Sequence, residues 1–337
     1  MKLVPENMRD SKSLPAPPSL LRSFRSGFDT ISNQLGLVLF PILLDMFLWW
    51  GPRLRLGNWL QEILADTGSM PELQTADMQD MLIATREVWL EVAGRFNLLT
   101  VLRTYPVGVT SLMAGISPVE SPTAAMPVWQ LSGSFTILAW VFGLSLLGLA
   151  FGTLFYASVS QAVVSERVAW GQVLREWPVK FIQVVTLALV WLAVIAAVSL
   201  PFSCMITLLA LFGVGFSPLA LLLYSAAMIW VLLPLAFSAH GIFVDQRTMW
   251  SSLKDGVQLT RLTMPSTSLF LLAVVLLSQG LDMIWKLPAE TSWMGLVGIA
   301  GHGFVTTGLL AASFVYYRDA SLWIRQVFEK LQSVKAE

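Results

Sequence analysis

Six stretches of the chain are apolar over about the length of a membrane crossing, and most of the charge falls between them. They are 33–51, 134–158, 180–202, 217–243, 267–285 and 293–317. A helix needs roughly 20 apolar residues to cross about 30 Å of hydrocarbon. The pattern therefore predicts an all-α polytopic membrane protein with six transmembrane helices. A further run, Met205–Phe216, is too short to span and is interrupted by Gly213 and Gly215; it reads as a continuation of the third or fourth helix. Pro41 and Pro234 inside spans mark expected kinks.

Between the spans a second pattern repeats. Val164-x-x-Arg167-x-x-Trp170 follows span two and Val244-x-x-Arg247-x-x-Trp250 follows span four. After span six comes Val315-x-x-Arg318, without tryptophan at the matching place. "SFRSGFDTI" (Ser23 to Ile31) before span one is echoed by "SLKDGVQLT" (Ser252 to Thr260) before span five, and "GQVLREW" precedes span three. The unit is then an interfacial helix, a span outward and a span inward ending in an Arg elbow, repeated as three hairpins. Arg snorkels to lipid phosphate and Trp favours the headgroup layer. Arg167, Trp170, Arg247, Trp250 and Arg318 thus read as interfacial anchors in contact with the lipid bilayer.

Charge sets the expected orientation. Of the 21 Lys and Arg, fifteen fall in 1–32, 159–180, 244–266 and 318–337, and among the short loops on the other side only Lys286 appears. The positive-inside rule places both termini in the cytoplasm, in a bacterial inner membrane. The first thirty residues are too polar for a cleavable signal peptide, so the first span is expected to be retained. The divisions are 1–32, a cytoplasmic segment with an interfacial helix; 33–51, the first span; 52–132, an extracytoplasmic helical insertion; 133–317, five further spans; and 318–337, a cytoplasmic helix.

Composition agrees with lipid as the main solvent: 55% of the 337 residues are hydrophobic and 12% charged, about half the charge of a soluble domain. The formal net charge of zero gives no electrostatic footprint for nucleic acid. A single cysteine, Cys204, excludes an intramolecular disulfide and a Cys-based metal cluster.

In the insertion, Asn58–Gly68 predicts a short amphipathic helix and Glu72–Arg103 a longer one, with apolar positions at three-four spacing. "FNLLTVLRTYPVGVTSLMAGI" (Phe96 to Ile116) is strongly apolar but broken by Pro106, Gly108 and Gly115. It lies on the outer leaflet, dips into it, or caps the bundle. Ser117–Pro127 reads as a flexible linker. The insertion is the candidate surface for a protein partner.

Ionisable groups inside spans are functional candidates because burying them is costly. Asp45 and Asp282 lie in the outer third of spans one and five and His302 near mid-depth of span six. Either they share a polar cavity that binds a cation or relays protons, or the two Asp stay wet or pair with Lys286 or Arg53 while His302 bonds a neighbouring helix. His240 reads as interfacial. Gly148-x-x-x-Gly152 permits close helix approach. No nucleotide loop, zinc-protease helix or nucleophile elbow occurs, so no cofactor, metal site or catalytic residue is expected. The favoured class is a non-enzymatic scaffold, accessory or partner-binding protein of the envelope; the alternative is a small transporter with a pathway near Asp45, Asp282 and His302.

"PLAFSAHGIFVDQRTMWSSLKDGVQLTRL" (Pro234 to Leu262), with "LLRSFRSGFDTI" and "SFVYYRDASLW", resembles a broad group of bacterial six-helix membrane proteins similar to the membrane domain attached to some glycerophosphodiester phosphodiesterases. The resemblance covers the hairpins and not 52–132. No phosphodiesterase domain is present, so that activity is not implied.

Overall fold

In helix α1 (Leu20–Asn33), Ser23, Gly27 and Ile31 recur every four residues and form its buried face, while Arg25 and Asp29 pair at 3.8 Å on the exposed side. The helix breaks at Gln34. A 3-10 turn (Leu35–Val38) and helix α2 (Leu39–Trp50) follow, and the stretch Leu35–Trp50 leaves at 94° to α1. The bend thus falls at Gln34 and not at Pro41. Pro41 sits in the first turn of α2, where a missing N–H costs little because first-turn N–H groups lack helical partners anyway. These features come from a computed structural model that describes residues 17–68, 76–123, 126–211 and 218–336.

Four further stretches begin or end near each expected span. They are α6 (Ser134–Ser165); α7 (Trp170–Leu211); α8 (Pro218–Leu232), which continues through a 3-10 turn at Leu233–Leu235 into α9 (His240–Val244); and α11 (Met264–Trp285). Helix α12 (Gly295–Ala336) closes the chain. Among the described residues, five helical stretches are long and apolar enough to cross a membrane, six if the bent Leu20–Trp50 pair is one span. The chain is a multi-pass helical membrane protein. The break in the fourth stretch falls where Pro234 predicts it. Helix α7 absorbs Pro178 and Pro201 and carries Met205–Leu211 as its continuation, while 212–216 of that apolar run lie outside the described residues.

The helices define two ends, one bearing the insertion and the other the elbows. Two of the three elbows share a backbone signature. Glu166 (φ 59°) and Gln246 (φ 51°) both adopt the left-handed conformation, each immediately before the motif arginine. Left-handed geometry costs a non-glycine residue about 1 kcal/mol. Gln246→Gly is therefore expected to hold or raise the thermal unfolding midpoint in detergent, and Gln246→Val to lower stability by about 1–2 kcal/mol. The third copy is different: Val315–Arg318 lies inside α12, which runs straight through without a turn. Its expected elbow is absent. The expected interfacial helix before span three is likewise not separate, since α7 is continuous from Trp170.

What repeats is the packing of the segment that enters each hairpin. In α1, a Cβ on Gly27 would meet the Ala312 backbone of α12 at 2.4 Å. In α10 (Met249–Leu262), a Cβ on Gly256 would meet the Phe237 backbone at 2.8 Å, and Ser252 Oγ donates to the Ser238 carbonyl at 2.6 Å. At the start of α7, Trp177 Nε1 donates to the Ala150 carbonyl of α6 at 3.0 Å. The entering helix of hairpin one rests on hairpin three, that of three on hairpin two, and that of two on hairpin one. These contacts close a ring. Outside it, the far half of α7 and α8 touch through Ser199–Tyr224 (2.9 Å) and Phe202–Tyr224 (4.8 Å between rings) and otherwise present apolar side chains outward.

The insertion starts with strand β1 (Arg53–Arg55) and ends with the parallel β2 (Val128–Gln130), so its entry and exit are clasped together. Helices α3 (Gly57–Gly68) and α4 (Ala76–Arg95) pack as a pair; the expected start of the second helix at Glu72 lies outside the described residues. Helix α4 stops at Arg95 instead of reaching Arg103. Asn97 takes over there: its Oδ1 accepts from the Leu54 backbone (3.1 Å) and from Leu99 (3.2 Å), which starts a 3-10 turn at Leu98–Leu102. The chain then enters the bundle. Val107 and Val109 belong to the same buried cluster as Ile31, Val38, Leu149 and Phe155. A Cβ on Gly148 would meet the Leu102 carbonyl oxygen at 2.4 Å, and one on Gly152 the Gly108 Cα at 2.6 Å. Gly152 lies roughly 27 Å along α6 from Ser134 at about 1.5 Å per residue. The Gly148–Gly152 face therefore receives a non-helical segment of the insertion, packed among the helices.

Candidate functional site

Non-helical backbone deep in a helical membrane protein must be buried in protein or line a cavity, because lipid cannot satisfy its polar groups. The returning segment finds its main acceptor on α2. The carboxylate of Asp45, fully buried, accepts from Ser111 Oγ (2.5 Å) and from the backbone N–H groups of Leu112 (3.2 Å) and Met113 (3.0 Å). Ser111 Oγ in turn accepts from Ala114 N at 3.0 Å. These are the unsatisfied donors at the start of the one-turn helix α5 (Met113–Ile116). Asp45 thus caps that turn from another element, a favourable position for a negative charge.

The belt continues from there to α12. Thr110 and Thr306 share a hydrogen bond of 2.8 Å between their hydroxyls, and Thr306 Oγ1 also donates to the His302 carbonyl at 2.8 Å. One turn away, the His302 ring is buried and its Nδ1 meets Asp282 Oδ1 of α11 at 2.7 Å. Helices α2, α11 and α12 are thereby joined through the insertion by one line of polar groups. The Trp285 indole fills the space where a Cβ on Gly301 would stand. His302 Nε2 and Trp285 Nε1 are buried without a hydrogen-bond partner.

The expected trio therefore divides. His302 and Asp282 come together directly, with His302 bonding a neighbouring helix. Asp45 is dry and pairs with neither Arg53 nor Lys286; its carboxylate is taken up by residues 111–113. Arg53, itself 1% exposed, donates to the Pro118 carbonyl and, at 3.4 Å, to that of Trp49. Burial draws its guanidinium below the ordinary arginine range; Arg55 adds to the shift and Glu290 opposes it. Glu290 accepts from Val119 N (2.7 Å) and Glu120 N (3.2 Å), so the first residues of the expected linker 117–127 are pinned to the α11–α12 turn; 124–125 lie outside the described residues. His240, expected at the interface, is packed inside the protein. It is 6% exposed, meets Phe237 edge-on and Phe314 at a tilt (4.9 and 4.8 Å between rings) and meets Ser313 Oγ at 2.9 Å, because α9 turns inward against α12.

The anchor residues show two behaviours. Trp170 and Trp250 are half exposed and Arg167 faces outward. Arg247 instead pairs with Asp255 of α10 at 3.2 Å, stapling the elbow to the next helix. Arg318 donates to the Val163 carbonyl at 3.3 Å, one of the free carbonyls at the end of α6. Ser111, Thr110, Thr306 and Glu290 had no sequence signal beyond being polar; their partners lie far away in the chain.

Four open grooves lie at the elbow end, and none of these is lined by Asp45, Asp282 or His302. Among the described residues no three His, Cys, Asp or Glu side chains converge in a way that holds a metal ion. Comparison with protein-family models, curated proteins and solved structures found no match to this chain.

Proposed function

We propose that this chain is a non-enzymatic scaffold or partner-binding protein of a bacterial cytoplasmic membrane. It crosses six times, has both termini inside and holds 52–132 outside as a docking platform. The observation that carries this reading is the use made of Asp45. A transport site keeps its carboxylate facing a pathway, whereas this one is consumed in fastening the insertion to the bundle. The distribution of fifteen basic residues on the elbow side supports the orientation. On the platform, Val88, Trp89 and Val92 of α4 are about half exposed and suit an apolar partner surface.

Two measurements test the reading. A photo-crosslinking residue at Trp89 in intact cells is expected to yield one discrete adduct, while the same residue at Arg25 on α1 does not. Proteoliposomes containing the purified chain are expected to show no more proton or cation flux than empty vesicles. A flux abolished by Asp282→Asn at normal stability would replace this reading with the transporter. That second reading draws on one feature, the buried and unpartnered Nε2 of His302 beside Asp282.

A further inference from the structure

At the elbow end, α7 and the α9 elbow enclose a groove of about 510 Å³ whose walls include Arg175, Glu176, Val179, Lys180, Gln183 and Ile242. From the groove and its depth order we infer that it binds a single glycerophospholipid, held by its phosphodiester. The inference rests on the membrane placement proposed above.

The order along α7 carries the argument. Arg175 comes first, exposed and pairing with no carboxylate among the described residues. Lys180 follows roughly 7.5 Å deeper and Gln183 about 4.5 Å deeper again, at about 1.5 Å per residue. Beyond Gln183 the helix is almost wholly apolar from Val184 to Pro201. Cation, cation, amide, hydrocarbon is also the order of groups a phospholipid presents, from phosphate through glycerol ester to acyl chain. Lys180 is already oriented, by Glu176 at 2.9 Å and the Phe243 ring at 5.9 Å, with only 12% of its side chain exposed. Glu176 cancels one of the two cations, which leaves the groove one positive charge for a phosphodiester carrying one negative.

Gln183 supplies the independent observation. Its Oε1 is buried without a partner, a cost borne by no other residue of the groove. The Nε2 end of the same amide supplies N–H donors, so the side chain can donate to an ester carbonyl seated at that depth. Val179, 62% exposed, and Ile242 give an apolar wall for the chain below it. A free phosphate or nucleotide satisfies the two cations but leaves the apolar wall and Gln183 unused. The basic surface of α10, where Lys254 and Arg261 flank Leu253 and Val257, has cations and an apolar wall, but its amide, Gln258, is exposed instead of recessed. It is the internal control.

The test uses the full-length protein in detergent, with phosphatidylglycerol, phosphatidylethanolamine and inorganic phosphate as probes and native mass spectrometry as readout. One phospholipid adduct is expected to survive delipidation. Its occupancy is expected to fall about tenfold in Arg175→Gln/Val179→Trp and about threefold in Gln183→Leu, the loss of one or two hydrogen bonds to a charged or carbonyl group. Lys254→Gln/Arg261→Gln should retain the parent occupancy. Because Arg175 and Val179 are exposed, the first variant is expected to unfold at the parent temperature in lipid-free detergent, which separates lost binding from lost folding. Equal lipid occupancy in parent and groove variants overturns the inference, as does displacement of the lipid by inorganic phosphate at equal phosphate concentration. Failure of the chain to insert into membranes overturns the placement instead; insertion without a groove-dependent adduct overturns the lipid site alone.

Discussion

Asp45→Asn is expected to lower the unfolding free energy of the solubilised protein by about 3 kcal/mol, and Asp45→Ala by somewhat more. Each figure follows from hydrogen bonds to a charged acceptor, worth about 1.5–3 kcal/mol, and from donors left buried and unpaired at about 1–3 kcal/mol. The isosteric amide is no remedy. Asparagine keeps one oxygen, and its N–H₂ group must face either Leu112 N, which bonds Oδ2, or Ser111 and Met113 N, which bond Oδ1, so a backbone donor is left facing a donor either way. The measurement is the thermal or denaturant midpoint in detergent. Asp282→Asn serves as comparison: it keeps an acceptor for His302 and its carboxyl is 13% exposed, so its loss is expected to be smaller. An Asp45→Asn protein that unfolds with the parent would show that the carboxylate is not a structural clamp.

Gly152→Leu is expected to expel the returning segment. The Cβ alone would meet Gly108 Cα at 2.6 Å, a contact with backbone that no rotamer change relieves. Overpacking costs about 1–3 kcal/mol, and more where backbone must move, so about 3 kcal/mol is the expected loss. Its signature is local. In a Cys204→Ser background, Val107→Cys is fully buried and should resist a membrane-impermeant maleimide in the parent. It should label readily once Gly152→Leu is added. Labelling unchanged by Gly152→Leu would mean that 102–109 is held by something other than this face.

The two variants also show where sequence reasoning works for this protein and where it stops. Helices α3, α6 and α11 follow directly from composition and periodicity, because an apolar run or amphipathic stripe is a local property. The Gly148-x-x-x-Gly152 pair announces that something approaches closely. It does not say what, since a bare helix face accepts a loop as readily as another helix. Asp45 is conspicuous in an apolar run, but the groups that neutralise it sit 66 to 68 residues later. His302 and Asp282 are legible as a pair because only a short turn separates their helices. The third elbow fails for a long-range reason: Tyr316 and Tyr317 lie in the core with Phe237 and Phe270, and that packing rewards continued helix over a turn.

The clasp of Asp45 on residues 111–113 also bears on the order in which the chain assembles. Helix α2 is made with its carboxylate still without partners, because the residues that bond it, in 96–116, follow 66 to 68 positions later. The seat of that segment does not yet exist at that moment. One wall, with Gly148 and Gly152, arrives with α6; another, with Thr306, arrives only with α12. The segment's seat is therefore complete only once α12 is in place, and α12 then helps to hold α2 through it.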